Sequence, residues 1–471
     1  MSPSRLRTAW ILTGAVGLIL VAFGITRSAK VSANSTNQNS VVQNAISKVE
    51  QGEQIFRFDT FGDESFWGDT IKLHQAIEGA GLGGVGPGVS PRTALAVGLK
   101  VDLDALPPNL VQQLRKGRVN LDDPAVTLAL LKLNAVVGVT GHFNSSGTLS
   151  SVGIQCALCH STVDSSMPGF CAGQISPNPG TGCIGHRLDG WANRDLNVGA
   201  IVALAPDLSV LANLLNTDQT TVRNVLHSWG PGKFDAELLL DGKVSNPQQV
   251  TDGVVTAANV SGASLIPPAF GLGGVNLHTW LGWGSVPHWN AFVANLDMHG
   301  KGRFFDPRLN NAAQFPVAAA NGFGDLPHIN PDDDQITSKL ASLQLYQLSI
   351  PAPNPTVSFD QAAAARGDEL FSGKAGCNNC HVEPLWTEPG WNLHQPSDVC
   401  IDAFQANRGP DLRYRTSPIG AISTHLKGGF YHDGRFADLN AVVAHYNTCM
   451  NLGLSSGEQS DLVQYLLSLK F

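Results

Sequence analysis

Two short stretches carry the residues best suited to chemistry: Cys156-Ala157-Leu158-Cys159-His160 and Cys377-Asn378-Asn379-Cys380-His381. Two thiols two residues apart, followed at once by an imidazole, suit covalent attachment of a c-type haem. Each thiol adds to a vinyl group of the porphyrin, and the histidine reaches the iron from one face. One copy alone also reads as half of a zinc site. Two copies argue against zinc, because a zinc site has no reason to place histidine directly after the second cysteine twice. The sequence therefore predicts two covalently bound haem c groups, attached at Cys156, Cys159, Cys377 and Cys380, with His160 and His381 as iron ligands.

The remaining cysteines bear on the compartment. Four are left over, Cys171, Cys183, Cys400 and Cys449. An even remainder in an exported chain reads as two disulfides, and the favoured pairing is Cys171–Cys183 and Cys400–Cys449. The first closes a short Gly- and Pro-rich loop; the second ties the segment after the second motif to the C-terminal helix. Export is suggested independently by Arg5 and Arg7, an apolar run from Ala9 to Ile25, and small residues from Ser28 to Ala33. Residues 1–33 are read either as a signal peptide, cleaved near Ala33, or as an uncleaved membrane anchor. The expected location is periplasmic or secreted, with membrane contact only if that segment is retained. A net charge of -8 without a concentrated block, and no basic tract interleaved with aromatics, excludes nucleic acid as a partner.

The elements that must position the motifs follow from the chain order. Residues 34–50 have no apolar period and read as a flexible leader. Residues 51–350 form the N-terminal haem domain with extensions. Within it, Gly79 to Gly88 matches Gly-x-Gly-x-x-Gly but lacks the flanking strand and Lys of a phosphate loop, so it is read as a plain loop. Pro124 to Val137 predicts a buried helix with Asp122 or Asp123 as cap, and Leu208–Leu215 and Gln219–Trp229 are further helical stretches. Between Val250 and Arg303 the pattern dissolves into Gly, Pro and Trp, and strand periodicity is rare throughout. A spacer, Pro351 to Pro355, precedes a C-terminal cytochrome c domain over 356–471. That unit reads as a helix near Asp360–Phe371, the haem motif, loops, and a helix Ser456–Leu469 with Ser456 and Gln459 as capping box. The fold class expected is mainly α, two c-type cytochrome haem domains in tandem with long loops.

With the C-terminal unit read this far, it resembles the bacterial di-haem cytochrome c peroxidase superfamily, which includes the MauG-type maturation enzymes and the di-haem rubber oxygenases. The resemblance rests on Arg366-Gly367, Leu370-Phe371, Cys377–His381, Gly409-Pro410-Asp411-Leu412-Arg413, Gly429 to Arg435, and Val442 to Tyr446, closing on Asp461 to Leu469. It covers roughly the last hundred residues; over 50–350 it extends only to two haem domains in tandem. The resemblance implies an N-terminal haem where substrate chemistry occurs and a C-terminal haem that stores or relays electrons. It places Tyr446 at the family position of the second axial ligand of the C-terminal haem, where the peroxidases have Met and MauG-like members have Tyr. His445 stands next to it and is the stronger ligand for a low-spin haem; a helix step of about 100° keeps both from facing one iron. It also makes Trp191 a candidate residue between the haems, and leaves calcium as an additional candidate ion.

The distal side of the N-terminal haem is less defined. No histidine follows His160 until His186, so the early distal His of the peroxidases is missing. Met298 and His299 are candidate distal groups, with Met298 as a candidate ligand; a pocket built from Phe270 and the Trp280–Trp289 segment is the alternative. His432 is read as bracing a turn or standing beside the haem, His394 as a loop residue, and Trp386 and Trp391 as buried aromatics or an electron route. The resulting expectation is an exported di-haem oxidoreductase that reacts with peroxide or dioxygen at the His160 haem, with His160 and Trp191 as catalytic residues. A redox partner protein is a further candidate partner. The alternatives are a non-catalytic di-haem electron carrier and a haem-anchored interaction module at a membrane surface.

Overall fold

Helices joined by long loops make up most of the chain, and five two-stranded ribbons are the whole of its sheet structure among the described residues. The computed structural model describes residues 35–171, 182–247, 250–251, 254–255, 261–327, 329–425 and 427–471. The export segment read at 1–33, and most of the loop between Cys171 and Cys183, lie outside the described residues. No helix among the described residues is long and apolar enough to cross a membrane.

The first helix, Ser35–Phe58, begins inside the stretch expected to be a flexible leader. Residues Asn39 to Ser47 are exposed, as the polar side chains of Asn39, Ser40, Gln43 and Asn44 require, and the second half of the helix is held by packing. Phe56 is fully buried against Tyr346, with ring centroids 5.4 Å apart, and Ser342 Oγ donates to Gln51 Oε1 at 3.1 Å. A Cβ at Gly52 would collide with the Ser342 carbonyl and Tyr346, so the helix Leu340–Ser349 crosses at a residue without a side chain. Tertiary packing thus extends a helix that local periodicity does not announce.

The helix expected from Pro124 is shorter than its apolar text. Asp123 caps it by accepting from Ala125 N at 2.9 Å, with Pro124 in the first turn, but the helix ends at Lys132. Asn134 turns the chain in left-handed backbone (φ 51°) into an antiparallel hairpin, Val139–Phe143 with Leu149–Ile154. Asn144 closes the hairpin: its side-chain oxygen accepts from Ser146 N (3.1 Å) and Thr148 N (3.0 Å). The hairpin delivers the chain directly into the first Cys-x-x-Cys-His motif. Downstream, the helices Ser209–Leu214 and Gln219–Trp229 fall where the periodicity puts them.

In the last hundred residues two helices cross. Gln361–Ser372 starts at the cap Asp360, which accepts from Ala362 N (2.8 Å) and Ala363 N (3.0 Å). It meets Ser456–Ser468 at Gly367, where a Cβ would strike the Asp461 carbonyl and Tyr465. Arg366 locks the crossing with two bonds to Asp461, 2.7 and 2.6 Å. These contacts explain the Arg-Gly pair in the sequence. The capping box of the last helix sits one residue earlier than expected: Ser455 and Glu458 form it, not Ser456 and Gln459. Phe371, Trp386, Leu439, Val443, Leu462, Val463, Leu466 and Leu469 share the core of this region.

The two halves of the chain interpenetrate. Ala421 joins a core cluster with Val137, Ala157, Phe270 and Met298, while Ala406 and Tyr414 join the cluster around Trp283. Arg408, fully buried, pairs with Asp235 and Asp241 at 2.9 Å each. Both expected disulfides form, with Cα–Cα separations of 5.5 Å for Cys171–Cys183 and 6.2 Å for Cys400–Cys449. The second joins the helix Leu439–Cys449, which carries His445 and Tyr446, and not the last helix as expected.

Candidate haem sites

The first motif occupies a single turn of helix, Ala157–His160, held at both ends by backbone bonds. Gln155 N donates to the Gly138 carbonyl at 3.0 Å, and after the motif the chain folds back so that Gly190 N bonds the His160 carbonyl (2.8 Å) and Asn193 N the Cys159 carbonyl (2.9 Å). His160 Nδ1 lies 3.1 Å from the carbonyl oxygen of Pro267. A carbonyl can only accept, so Nδ1 carries the proton and Nε2 keeps its lone pair. Burial pushes the imidazole pKa down to about 4, so the ring is neutral at neutral pH. That is the state in which a histidine binds a metal.

The second motif repeats this arrangement with different parts. Gly376, in left-handed backbone (φ 61°), turns the chain into Cys377–Asn379, and His381 N bonds the Cys377 carbonyl at 2.9 Å. His381 Nδ1 donates to the Trp386 carbonyl at 3.0 Å, which again leaves Nε2 free, and burial lowers its pKa. Here the histidine faces a cavity of about 350 Å³. Cys377, Cys380 and His381 form one side and Tyr446, Val442 and Val443 belong to the helix on another, with Phe270, Trp280, Arg415, His425 and His432 among the remaining walls.

The four motif cysteines are all unpaired, in contrast to the other four. Burial raises the thiols of Cys156 and Cys159 to about 12 and that of Cys377 to about 11. Neutral buried thiols two residues apart are not a reactive redox pair, which depends on a depressed pKa. They do suit permanent thioethers beside a neutral, oriented imidazole, so the residues present fit a covalently held haem at each motif. One group among the described residues has metal-ligand spacing without haem: Cys380, Glu388 and His394. It contains a motif cysteine, and its other members are already bonded, His394 Nε2 to Glu388 at 2.5 Å and Thr416 Oγ1 to the same carboxylate at 2.6 Å. No further such group appears among the described residues, so the calcium expectation gains no support.

Tyr446 and His445 are separated by the geometry. Tyr446 lines the cavity that His381 faces; His445 does not. The His445 ring packs against Phe436 (4.8 Å) and its Nε2 lies 3.4 Å from the Val399 carbonyl. His432 lies in the cavity wall, and the turn beside it is held by its neighbour. The imidazole is buried and stacks on Tyr414 at 5.6 Å, while Asp433 braces the turn through Arg435 N (3.1 Å) and its guanidinium. Trp391 is 62% exposed, against the burial expected of it, whereas Trp386 is buried on Phe371 and Tyr465.

Around the first motif, Met298 is buried in the cluster that contains Ala157, and its carbonyl accepts from Trp67 Nε1 at 3.0 Å. His299 stacks on Phe66 at 3.7 Å. Trp191 packs edge-on against Phe270 (6.2 Å) and, like Cys156, against the cluster that contains Ala157; Phe270 also lines the second cavity. The expected pocket of Phe270 and Trp280–Trp289 over His160 is not what forms. Trp283 and Trp289 are buried with Phe292, Phe304 and Phe315 in a core of their own, and Phe270 and Trp280 line the His381 cavity. Aromatic shape is satisfied by core packing. The carbonyls of Pro267 and Trp386, and the cavity residues Arg415 and His425, are functional groups that the sequence did not single out, since a carbonyl leaves no signature in residue type.

No protein-family profile matches the chain. It is 25% identical over 221 residues to the methylamine utilization protein MauG of Methylorubrum extorquens, covering 40% of this chain and 62% of that protein. It is 27% identical over 224 residues to the cytochrome-c peroxidase IdrP1 of Denitromonas iodatirespirans, covering 36% and 58%. The chain thus matches about three fifths of the length of these curated relatives. A solved MauG-like protein associated with microbial copper homeostasis aligns over 48% of this chain and 79% of its own, with 14% identity and a TM-score of 0.30, too loose a likeness to carry an argument.

Proposed function

We propose an exported di-haem c-type oxidoreductase that reacts with peroxide or dioxygen at the His160 site and uses the His381 site as an electron relay, a reading supported by the modest identity to MauG and to a cytochrome-c peroxidase. The observation that carries the reading is the paired geometry: each motif histidine donates Nδ1–H to a backbone carbonyl, Pro267 at 3.1 Å and Trp386 at 3.0 Å, beside two unpaired cysteines. Such a bond fixes tautomer and ring orientation and strengthens the other nitrogen as a ligand. The haem supplies the redox chemistry when bound, and the protein supplies ligation, burial and a route.

In this reading Tyr446 is the second axial group at the His381 site, supported by its place in the cavity wall, and His445 packs behind it. Trp191 is the residue between the sites. Met298 is buried near the first motif and is the thioether available to it. A reaction with peroxide needs a group that moves a proton between the two oxygens; the peroxidase named among the relatives supports peroxide as the oxidant. The reading is tested on the purified holoprotein. The pyridine haemochrome should give two haems per chain, carbon monoxide should shift part of the Soret band of the reduced protein, and peroxide should be consumed with reduced c-type cytochrome as donor. One haem per chain overturns it, and two haems that both refuse carbon monoxide and cyanide leave the electron-carrier alternative.

A further inference from the structure

The buried arginines of this protein fall into two groups. Arg408 pairs with Asp235 and Asp241, Arg435 with Asp433 (2.7 Å) and Asp402 (2.5 Å), and Arg187 with Asp102 (2.5 Å). Each cation thus has a carboxylate within ion-pair distance, as the heavy desolvation penalty of an unpaired buried ion demands. Arg415 and Arg194 break this pattern. Among the described residues neither has an ion-pair partner. Arg415 donates Nη1–H to the Leu277 carbonyl, and its buried Nε has no partner. Arg194 places Nη2 at 3.4 Å from His425 Nδ1, and its buried Nη1 has no partner. Both side chains sit deep in the fold while keeping part of their surface open, and burial alone pulls both pKa values down, to about 9 and about 10, with no acid opposing it. Both remain cations at neutral pH.

Their positions are not random. Arg415 lines the cavity that holds Cys377, Cys380, His381 and Tyr446. Arg194 follows Asn193, whose N–H bonds the Cys159 carbonyl, and it touches His425, which lines the same cavity from the other side. The His425 Nε2 donates to the Gly429 carbonyl, so Nδ1 is the acceptor for Arg194 and the imidazole is a neutral spacer. Lys233, half-buried, adds further positive charge near Arg194, offset in part by Asp433. Arg415 and Arg194 thus stand at the cavity and beside it without a carboxylate at ion-pair distance among the described residues.

A haem brings the missing anions, since its porphyrin carries a pair of carboxylate side chains. We propose that Arg415 and Arg194 are the carboxylate anchors of the cofactor: Arg415 takes a propionate of the haem attached at Cys377 and Cys380, and Arg194 takes a propionate in the seam between the two motifs. The assignment rests on the di-haem reading and adds to it residues that the family resemblance did not mark. Arg is the side chain suited to this task, with its fixed fork of donors matched to a carboxylate. The pairing completes the charge balance only in the holoprotein, so each guanidinium also acts on the iron electrostatically and favours its reduced state.

The test compares Arg415→Gln with Arg415→Lys in the full-length holoprotein, by haem stain after denaturation and by spectroelectrochemical titration. Arg415→Gln should keep two covalent haems and shift the C-terminal haem to a more negative potential, while Arg415→Lys, which keeps the charge, should recover most of the shift. Arg194→Gln should shift a potential in the same direction, and Arg435→Gln, whose cation is already paired with Asp433 and Asp402, serves as the comparison for general damage. An unchanged potential in Arg415→Gln, or equal shifts in the Gln and Lys variants, overturns the assignment. If Arg415→Gln fails to accumulate, the Lys variant alone decides, because a propionate partner predicts a near-native potential and a different role for the guanidinium does not. Failure of the di-haem reading would instead show as fewer than two haems in the unsubstituted protein.

Discussion

The two Cys-x-x-Cys-His regions hold their histidines in the same way and surround them with different chemistry. Around the first, the ionisable neighbours are buried acids: Asp63, which accepts from Ile154 N at 3.2 Å just before the motif, and Asp297, which acts on Cys159. Burial raises Asp63 to about 9, so it keeps its proton at neutral pH, and pushes Asp297 well above the usual carboxylate range. Around the second, the cavity wall carries Arg415, whose buried Nε has no partner, the histidines His394, His425 and His432, and the carboxylate of Asp398, with Glu388 bonded to His394. The first region sets buried carboxyl groups beside its motif; the second sets one unpaired guanidinium and three imidazoles around an open volume. In the proposed reading, a site that moves protons to bound oxygen and a site that holds an extra electron would make two such different demands. The difference teaches that one duplicated motif can stand in two unlike settings, and that the role proposed for each site follows from what the rest of the chain places around it.

The comparison is broken most severely by removing attachment on one side only. Cys377→Ala combined with Cys380→Ala should abolish the C-terminal haem and unfold that region. A cavity of about 350 Å³ left without its contents costs up to roughly 8 kcal/mol at ~24 cal/mol per Å³, comparable with the ~5–15 kcal/mol that holds a domain together. Circular dichroism and limited proteolysis of the variant should show a disordered C-terminal region with the first haem still stained. The same pair of changes at Cys156 and Cys159 should leave the C-terminal region folded, since its core of Phe371, Leu462, Leu466 and Leu469 is its own.

Next in size is the loss of turnover. His160→Gly should abolish peroxide-dependent activity, and oxygen-dependent cleavage of a polyisoprene test substrate if the chain acts on hydrocarbons, while the visible spectrum of the C-terminal haem stays largely intact. His381→Gly should change that spectrum directly. If both variants retain activity, the assignment of chemistry to the first region is wrong.

How far these differences were legible in the sequence depends on whether they reside in residue type or in backbone. Both disulfides and the helix cap at Asp123 were carried by residue identity, and the fold uses them as read; Gly367 stood in the sequence only as part of the resemblance, and its place at a helix crossing appears with the fold. The carbonyls of Pro267 and Trp386 were not legible, because any residue supplies a carbonyl and only the tertiary fold says which one reaches the imidazole. The hairpin Val139–Phe143 with Leu149–Ile154 was hidden because Gly and Ser interrupt its alternation, and the Trp-rich segment misled because indoles serve a core as readily as a pocket. Arg415 and Arg194 gave no sign: an arginine reveals its lack of an acid partner only when its neighbours are known.

A spectral change of intermediate size separates Tyr446 from His445. Replacing Tyr446 by Phe should alter the low-spin signal of the C-terminal haem in low-temperature EPR, and His445→Leu should leave it close to native, because the His445 ring packs on Phe436 away from the cavity wall. The reverse outcome would place the ligand on His445 and require the helix Leu439–Cys449 to rotate by one residue, against the hold of the Cys400–Cys449 disulfide.

The smallest effect concerns the helix Ser456–Ser468 that closes the second region. Ser455 and Glu458 cap it reciprocally: Glu458 N donates to Ser455 Oγ at 3.3 Å, and Ser455 N donates to Glu458 Oε2 at 2.7 Å. Ser455→Ala should lower stability by about 1 kcal/mol, read as a shift in the denaturation midpoint of the C-terminal region. Lys374 Nζ, 2.8 Å from the same carboxylate, and the cap bonds hold Glu458 down at about 2, against 4.5 for an unperturbed glutamate. The folded carboxylate therefore binds its proton more weakly than the unfolded one, and the unfolded state takes up protons first as the solution is acidified. The contribution of the Glu458 charge is fully present above about pH 4.5 and is lost as the pH falls toward 2. Glu458→Gln, which keeps the shape but not the charge, should thus be less stable than the unsubstituted protein at about pH 7 and should converge with it over that interval. A difference that persists unchanged below about pH 2.5 would mean that the carboxylate acts there through packing and not through its charge.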